Sequence, residues 1–147
     1  MGLTFTASTV SAEAPDIDAG IYDARFDGVE AKTLEKSQYD PDVFEWLFTL
    51  FEDGKPLYDD GDPVEVTGLS SRSTNTKSKT TPRAVKYLKA IMTPEEWATF
   101  ESGGGVDASA LQGRMVQVEV AIKDSGWPFV DNVLPGRRQS RKARGDA

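Results

Sequence analysis

The sequence predicts a small, mainly β protein in which one helical region separates the third and fourth of five strands. Apolar residues recur at every second position along five short segments, which is the pattern of β-strands. After the third segment they recur instead at helical spacing. The chain of 147 residues suits a single domain, and 38% hydrophobic residues suffice for a core.

The first two strands follow an irregular N-terminal lead-in, residues 1–18. Tyr22 and Phe26 lie on one face of the first strand, and Gly28 in its interior predicts a bulge or a sharp bend. The second strand, which begins near Val43, is apolar on both of its faces. We therefore expect it to be a central strand that is largely covered.

A third strand, which begins at Val64, leads through a polar segment into two helices. The first helix is predicted to start at Pro82 with Thr81 as its N-cap. The second begins with a capping box between Thr93 and Glu96. We expect three apolar side chains of the first helix to face the core: Val85, Leu88 and Ile91.

The last two strands are "RMVQVEVAIKD" and "WPFVDNVLP", joined by a tight "DSG" turn. The order of strands and helices along the chain is that of the OB-fold, a five-stranded Greek-key barrel with a helical segment between strands 3 and 4. The alternative is another small β-barrel or sandwich with a helical insertion. The predicted domain spans residues 19–135, and residues 136–147 form a flexible, solvated basic tail.

Charge is distributed unevenly along the chain, although the formal net charge is -7. Residues 1–65 hold 4 Lys or Arg against 16 Asp or Glu, a net charge of -12. Residues 66–147 hold 13 against 8, a net charge of +5. The acidic isoelectric point of the whole chain is therefore a poor guide to what its second half binds.

The composition also limits the chemistry of the protein. The chain contains no Cys and no His, which excludes disulfides, thiolate metal sites, cysteine nucleophiles and the commonest general base. The acidic "DDGD" lacks the ligand spacing of a calcium-binding loop. We expect a non-enzymatic protein without a cofactor or a metal site. We also expect no membrane span, because no run of about 18 apolar residues occurs.

The segment "SRSTNTKSKTTPR", Ser71 to Arg83, is basic and contains no acid. Cations separated by Ser, Thr and Asn are the side chains that follow a phosphate backbone. The alternative is a solvated loop that leads to a helix with an ordinary charged face. The candidate phosphate-binding residues are Arg72, Lys77, Lys79, Arg83 and Lys86.

Exposed aromatic rings are the second requirement for binding single strands, because bases stack on them irrespective of sequence. Most aromatics at alternating strand positions belong to the core. Trp127 and Phe129 follow the tight turn, where exposure is more plausible, and they are the candidate stacking residues. The other rings considered are Tyr39, Trp46, Phe51 and Tyr58.

Four stretches together resemble a group of bacteriophage-encoded OB-fold proteins described as single-stranded-DNA-binding-like. They are "GIYDARFDGVEAKT", "FEWLFTL" with "EDG", "VEVTGLSS" with "TKSKTTPRAVKYLKAIM", and "LQGRMVQVEVAIKDSGWPFVDNVLP". The matching positions are Gly20, Tyr22, Ala24, Trp46, Phe48, Gly68, Ser70, Ser71, Ser78, Lys79, Arg83, Gly113, Val118, Asn132 and Pro135. The resemblance covers about residues 18–135.

The resemblance implies largely sequence-independent binding of single-stranded DNA in phage replication or recombination, in the host cytoplasm. Phage or host replication and recombination proteins are further expected partners, and an oligomer remains an alternative to a monomer. This chain ends in basic residues, whereas the familiar bacterial single-stranded-DNA-binding proteins end in an acidic tail that recruits partners. The alternative function is a protein-interaction module that binds a host or phage protein through its acidic half.

Overall fold

The computed structural model describes residues 14–33, 42–77 and 79–136. The greater part of the predicted lead-in and all but Gly136 of the predicted tail lie outside these ranges. The strands are β1 (Gly20–Thr33), β2 (Asp42–Glu52), β3 (Lys55–Pro56), β4 (Tyr58–Asp59), β5 (Asp62–Pro63), β6 (Glu65–Ser71), β7 (Met115–Ile122) and β8 (Pro128–Pro135). The helices are α1 (Arg83–Ile91), α2 (Pro94–Glu101) and α3 (Ala108–Leu111).

Six of these strands form one antiparallel sheet with the order β3-β2-β1-β7-β8, and β6 pairs with β2. The two short strands β4 and β5 pair separately as a hairpin. The mainly β prediction is confirmed. Because β2 pairs with β1, β3 and β6, it is the central strand that its two apolar faces predict.

Gly28 produces the predicted irregularity in β1. Phe26 pairs with Phe48, but Gly28 pairs with Leu47, so the register between β1 and β2 shifts by one residue at this point. The φ of Gly28 is 146°, and a Cβ there would lie 3.0 Å from Nε2 of Gln112. Both the backbone conformation and the close approach therefore favour glycine.

The core is aromatic at its centre. Trp46 is 2% exposed, and its indole N–H donates to Oγ of Ser70 over 2.8 Å. Its ring packs edge-to-face with Tyr87 at 5.3 Å between centroids. The largest fully buried side chains are Tyr87, Phe26, Phe48, Leu50, Ile91 and Leu111.

Helix α1 turns its predicted apolar face toward this core. Val85, Leu88 and Ile91 are 3%, 8% and 1% exposed, which confirms their expected orientation. The predicted N-cap at Thr81 is wrong, because the helix begins at Arg83 and extended Pro82 occupies the cap position without a side-chain bond. Proline locks its own φ but supplies no cap acceptor.

The capping box at the start of α2 is confirmed. The Glu96 N–H donates to Oγ1 of Thr93 over 3.2 Å, and the Thr93 N–H donates to the Glu96 carboxylate over 2.9 Å. Two N–H groups that the helix cannot satisfy internally thereby gain partners. The boundary between α1 and α2 is thus determined by a local interaction.

Strands β6 and β8 lie next to each other, although no backbone pairing joins them within the described ranges. Gly68 on β6 makes this approach possible. A Cβ there would lie 3.2 Å from Cβ of Val130 and 3.0 Å from the Tyr87 hydroxyl. That hydroxyl donates to the carbonyl oxygen of Val130 over 3.5 Å, so α1 bridges the two strands.

We expect Gly68→Ala to destabilise the protein by about 1–3 kcal/mol, because the added methyl group overpacks the contact between β6 and β8. Urea unfolding followed by circular dichroism measures the change. The matched control is Gly105→Ala, where a Cβ would meet nothing within 4 Å. Equal stability of the two variants would contradict this description of the seam.

The ion pair between Glu96 and Arg114 predicts a pH dependence. The Arg114 guanidinium donates to both carboxylate oxygens and lowers the pKa of Glu96 to about 2. The ionised pair therefore stabilises the fold above the unfolded pKa near 4.5, and this contribution is lost as the pH falls toward 2. The side chains of Arg114 and Glu96 are 31% and 35% exposed, so solvent screening reduces the contribution of the ion pair to stability.

Glu96→Gln is accordingly expected to cost about 1–2 kcal/mol at neutral pH after this screening. The difference between the variant and the original protein should shrink as the pH falls from 5 toward 2. Unfolding free energies measured at several pH values test this. A difference that stays constant over that interval would show that the carboxylate charge does not contribute.

Candidate nucleic-acid interface

The basic segment, Ser71 to Arg83, leads into α1, whose exposed face carries further cations. Five cations of the segment and this face are exposed, and none of them forms an ion pair with a carboxylate in the described part of the chain. They are Lys77, Lys79, Arg83, Lys86 and Lys89. Because no carboxylate of the described residues forms an ion pair with them, their positive potential is available to an anionic ligand.

Arg72 is held more firmly than the other candidates. Its guanidinium donates to the carbonyl oxygens of Val43 over 3.3 Å and of Lys32 over 3.2 Å. It also lies 5.8 Å from the centroid of the Phe44 ring. Arg72 thus joins the ends of β1 and β2, and only its remaining N–H donors are left for a phosphate.

The cations of α1 lie opposite its buried face. Arg83 and Lys86 are three residues apart and therefore neighbour each other on the helix surface. Burial raises the pKa of Tyr87, and the nearby positive charge of Arg83 opposes that rise. Since the Tyr87 hydroxyl also contacts Val130, Arg83 lies close to the first half of β8.

The turn between β7 and β8 orients the two candidate stacking residues. The Gly126 N–H donates to the Lys123 carbonyl over 2.8 Å, the Lys123 N–H donates to the Trp127 carbonyl over 2.9 Å, and the φ of Gly126 is 94°. This is a three-residue hairpin loop that closes with a glycine bulge. Lys123 and Trp127 therefore face each other across the hairpin, next to the pair of Ala121 with Phe129.

Trp127 and Phe129 consequently lie on the same outward face of the hairpin. Trp127 is 39% exposed, and Phe129 is half-buried. The ammonium group of Lys123 lies 5.9 Å from the Phe129 ring centroid. Two rings and a cation thus form one surface, which we call the aromatic hairpin.

Lys123 is a candidate that the sequence reasoning missed. The sequence contained the information needed, because a three-residue "DSG" loop places Lys123 and Trp127 opposite each other at the end of the hairpin. Tyr87 was missed as well, since its role depends on contacts with residues 43 positions away. No local pattern identifies such a contact.

The other aromatic candidates lie elsewhere. Trp46 is buried in the core, so its consideration as an exposed stacking ring is wrong. Phe51 is half-buried with the Arg25 guanidinium 5.6 Å from its ring centroid. Tyr58 is 60% exposed but belongs to the acidic β4–β5 hairpin, and Tyr39 lies outside the described residues.

The outer face of β1, β2 and β6 is acidic. Glu30 pairs directly with Glu45 across β1 and β2, and Glu65 is exposed on β6. Lys32 compensates one of these charges, with its ammonium group 3.3 Å from the Glu45 carboxylate. The carboxylates of this face make it less favourable for a phosphate than the cationic surface of α1.

No protein-family model matches this chain, and no curated protein matches it. No helix in residues 14–33, 42–77 and 79–136 is long and apolar enough to cross a bilayer. In the same ranges, no group of three or more carboxylates is arranged to hold a metal ion.

We expect Trp127→Ala to cost less than about 2 kcal/mol of unfolding free energy, because Trp127 is already 39% exposed and removal of its ring leaves no enclosed cavity. Trp46→Ala is the matched control and should cost about 3–5 kcal/mol, since it empties a core position. Thermal unfolding of both variants measures the contrast. Equal destabilisation by the two substitutions would place Trp127 in the core.

Proposed function

We propose that this protein is a non-enzymatic, largely sequence-independent binder of single-stranded DNA, built on an OB-fold. The observation that carries the proposal is a row of cations on α1 and the preceding loop, which form no ion pair among the described residues, beside an outward-facing pair of rings. Cations supply attraction to phosphates, and rings supply stacking on bases. Neither interaction reads base edges, so binding is largely independent of sequence.

The connectivity supports an OB-fold. β1, β2 and β6 form a meander, α1 follows, and the β7–β8 hairpin returns to pair with β1. A five-stranded Greek-key barrel has the same order of strands and helix. The sheet is not closed by backbone pairing within the described ranges, and β6 and β8 approach each other there through packing around Gly68 and Tyr87.

The path proposed for the single-stranded DNA differs from the path that is usual on OB-folds. OB-folds bind oligonucleotides on the face of their second and third strands and on the loops beside it, including the loop between the fourth and fifth. Here that loop carries Trp127, but the β2–β6 face carries Glu45 and Glu65. The single-stranded DNA is therefore expected to follow α1 and the aromatic hairpin and to avoid the acidic face.

The resemblance to phage single-stranded-DNA-binding-like proteins supports a role in phage replication or recombination in the host cytoplasm. Replication and recombination proteins of the phage or the host are the corresponding protein partners. We propose no chemical step for this surface, since electrostatic attraction and stacking account for the proposed binding.

A protein-interaction module is the second candidate function. It is favoured by the acidic face of β1, β2 and β6, where Leu69 is 38% exposed among carboxylates. Such a surface fits a basic protein partner. The two functions differ in one direct observation, namely whether the intact protein binds single strands at low salt.

Replacing Lys77, Lys79 and Arg83 together by Ala is expected to weaken binding and to flatten its salt dependence. Removing three phosphate contacts lowers the slope of log K against log salt by about two units, at about 0.7 per phosphate on single strands. Fluorescence anisotropy with oligo-dT and with a mixed sequence at several salt concentrations measures this slope.

A charge-matched comparison separates a local site from a general effect of charge. Lys77→Ala with Lys79→Ala removes two cations of the basic segment, and Lys32→Ala with Lys55→Ala removes two cations elsewhere. Only the first pair should reduce the slope. Tight binding that is insensitive to salt would contradict the electrostatic account, and absence of binding at low salt would favour the protein-interaction module.

A further inference from the structure

Helix α2 carries two aromatic rings that packing covers only in part. None of the side chains of this helix is buried, and Trp97 and Phe100 are both half-buried. The centroids of the two rings lie 5.7 Å apart, with their planes tilted by 35°. Both rings pack against the core, but each keeps part of its surface at the outside of the protein.

Lys89 connects this pair of rings to the cations of α1. Its ammonium group lies 5.6 Å from the centroid of the Trp97 ring. Lys89 is exposed and forms no ion pair among the described residues, so the part of the Trp97 ring that it covers faces the surface. Since Lys86 lies three residues earlier, it neighbours Lys89 on the helix surface, and the row of cations reaches α2.

The surface at α2 has the same composition as the aromatic hairpin. In the hairpin, the ammonium group of Lys123 lies 5.9 Å from the Phe129 ring centroid, and Trp127 is the second ring. Arg83, at the start of α1, lies close to β8, whereas Lys89 lies at the other end of the helix, after a rise of about 9 Å. The row of cations on α1 therefore has a pair of rings at each of its ends.

Given the proposed function, on which this step rests, we propose that Trp97 is a second base-stacking residue. Bound single-stranded DNA then extends from the aromatic hairpin along α1 to α2. On binding, Lys89 leaves the Trp97 ring for a neighbouring phosphate, and a base takes its place on the ring. The exchange is favourable because an exposed cation–π contact is weaker than base stacking, and because the ammonium group gains a charge-assisted contact.

The carboxylates of α2 determine where this path ends. Glu101 is exposed and lies one turn beyond Trp97 on the same side of the helix. Glu96 is held in its ion pair with Arg114, and Glu95 lies two positions before Trp97 and so does not face it. Phosphates therefore approach the Trp97 ring from α1 and not from the C-terminal end of α2.

Intrinsic fluorescence tests the stacking role in the full chain, which contains three Trp residues. Trp127→Phe leaves Trp97 and the buried Trp46, so quenching by oligo-dT then reports on Trp97. Trp97→Phe combined with Trp127→Phe leaves Trp46 alone and gives the background. We expect the quenching of Trp127→Phe to exceed this background clearly. Because Phe conserves an aromatic side chain, circular dichroism should show that both variants are folded.

Affinity separates stacking from a purely structural role of the ring. Trp97→Leu keeps an apolar side chain against the core but removes the ring, and it should weaken binding of oligo-dT about 5- to 150-fold, the range for one stacked base. Trp97→Phe should retain most of the affinity, because Phe also stacks. Tyr58→Leu is the matched control, since Tyr58 is 60% exposed on the acidic β4–β5 hairpin, and it should leave the affinity unchanged.

Anisotropy of labelled oligo-dT, measured on the same variants, distinguishes a failure at Trp97 from a failure of the proposed function. Binding without quenching of Trp97 above the background would overturn its stacking role and leave the proposed function intact. Equal affinities of Trp97→Leu and the original protein would have the same consequence. Absence of binding by the original protein at low salt would overturn both.

Discussion

Tyr87 makes the contact on which the arrangement of the other elements depends. Its ring is buried edge-to-face against Trp46, and its hydroxyl reaches the Val130 carbonyl beside Gly68. This one side chain therefore joins α1 to β2, β6 and β8. Because α1 is held over the β6–β8 seam, its outward face is presented next to the hairpin that carries Trp127.

Separation of charge organises the surface that results. The early strands carry Glu30, Glu45 and Glu65 outward, whereas the stretch from Lys77 to Lys89 provides exposed cations. An acidic protein can in this way present one cationic surface, because potential depends on local arrangement more than on net charge.

Predictions from local sequence patterns were confirmed where a short stretch of the chain contains all the interacting groups. The capping box of Thr93 with Glu96, the bulge at Gly28 and the buried face of α1 belong to this class. The N-cap at Thr81 failed although its residue type is favourable. A cap also requires a backbone position, and the helix begins one residue later than Pro82 suggests.

The sequence by itself determined the order of the five long strands, the central position of β2 and the identity of the basic segment, since periodicity and charge are local properties. It did not predict the short strands β3, β4 and β5, which lie where a turn and an acidic loop were expected. Only the tertiary structure decided that Trp46 is buried, that Arg72 ties two strand ends, and that Lys123 stands over Phe129. These outcomes depend on which face of a strand is covered and on partners far away in the chain. Alternation distinguishes the two faces of a strand, but only packing against other elements decides which face meets water.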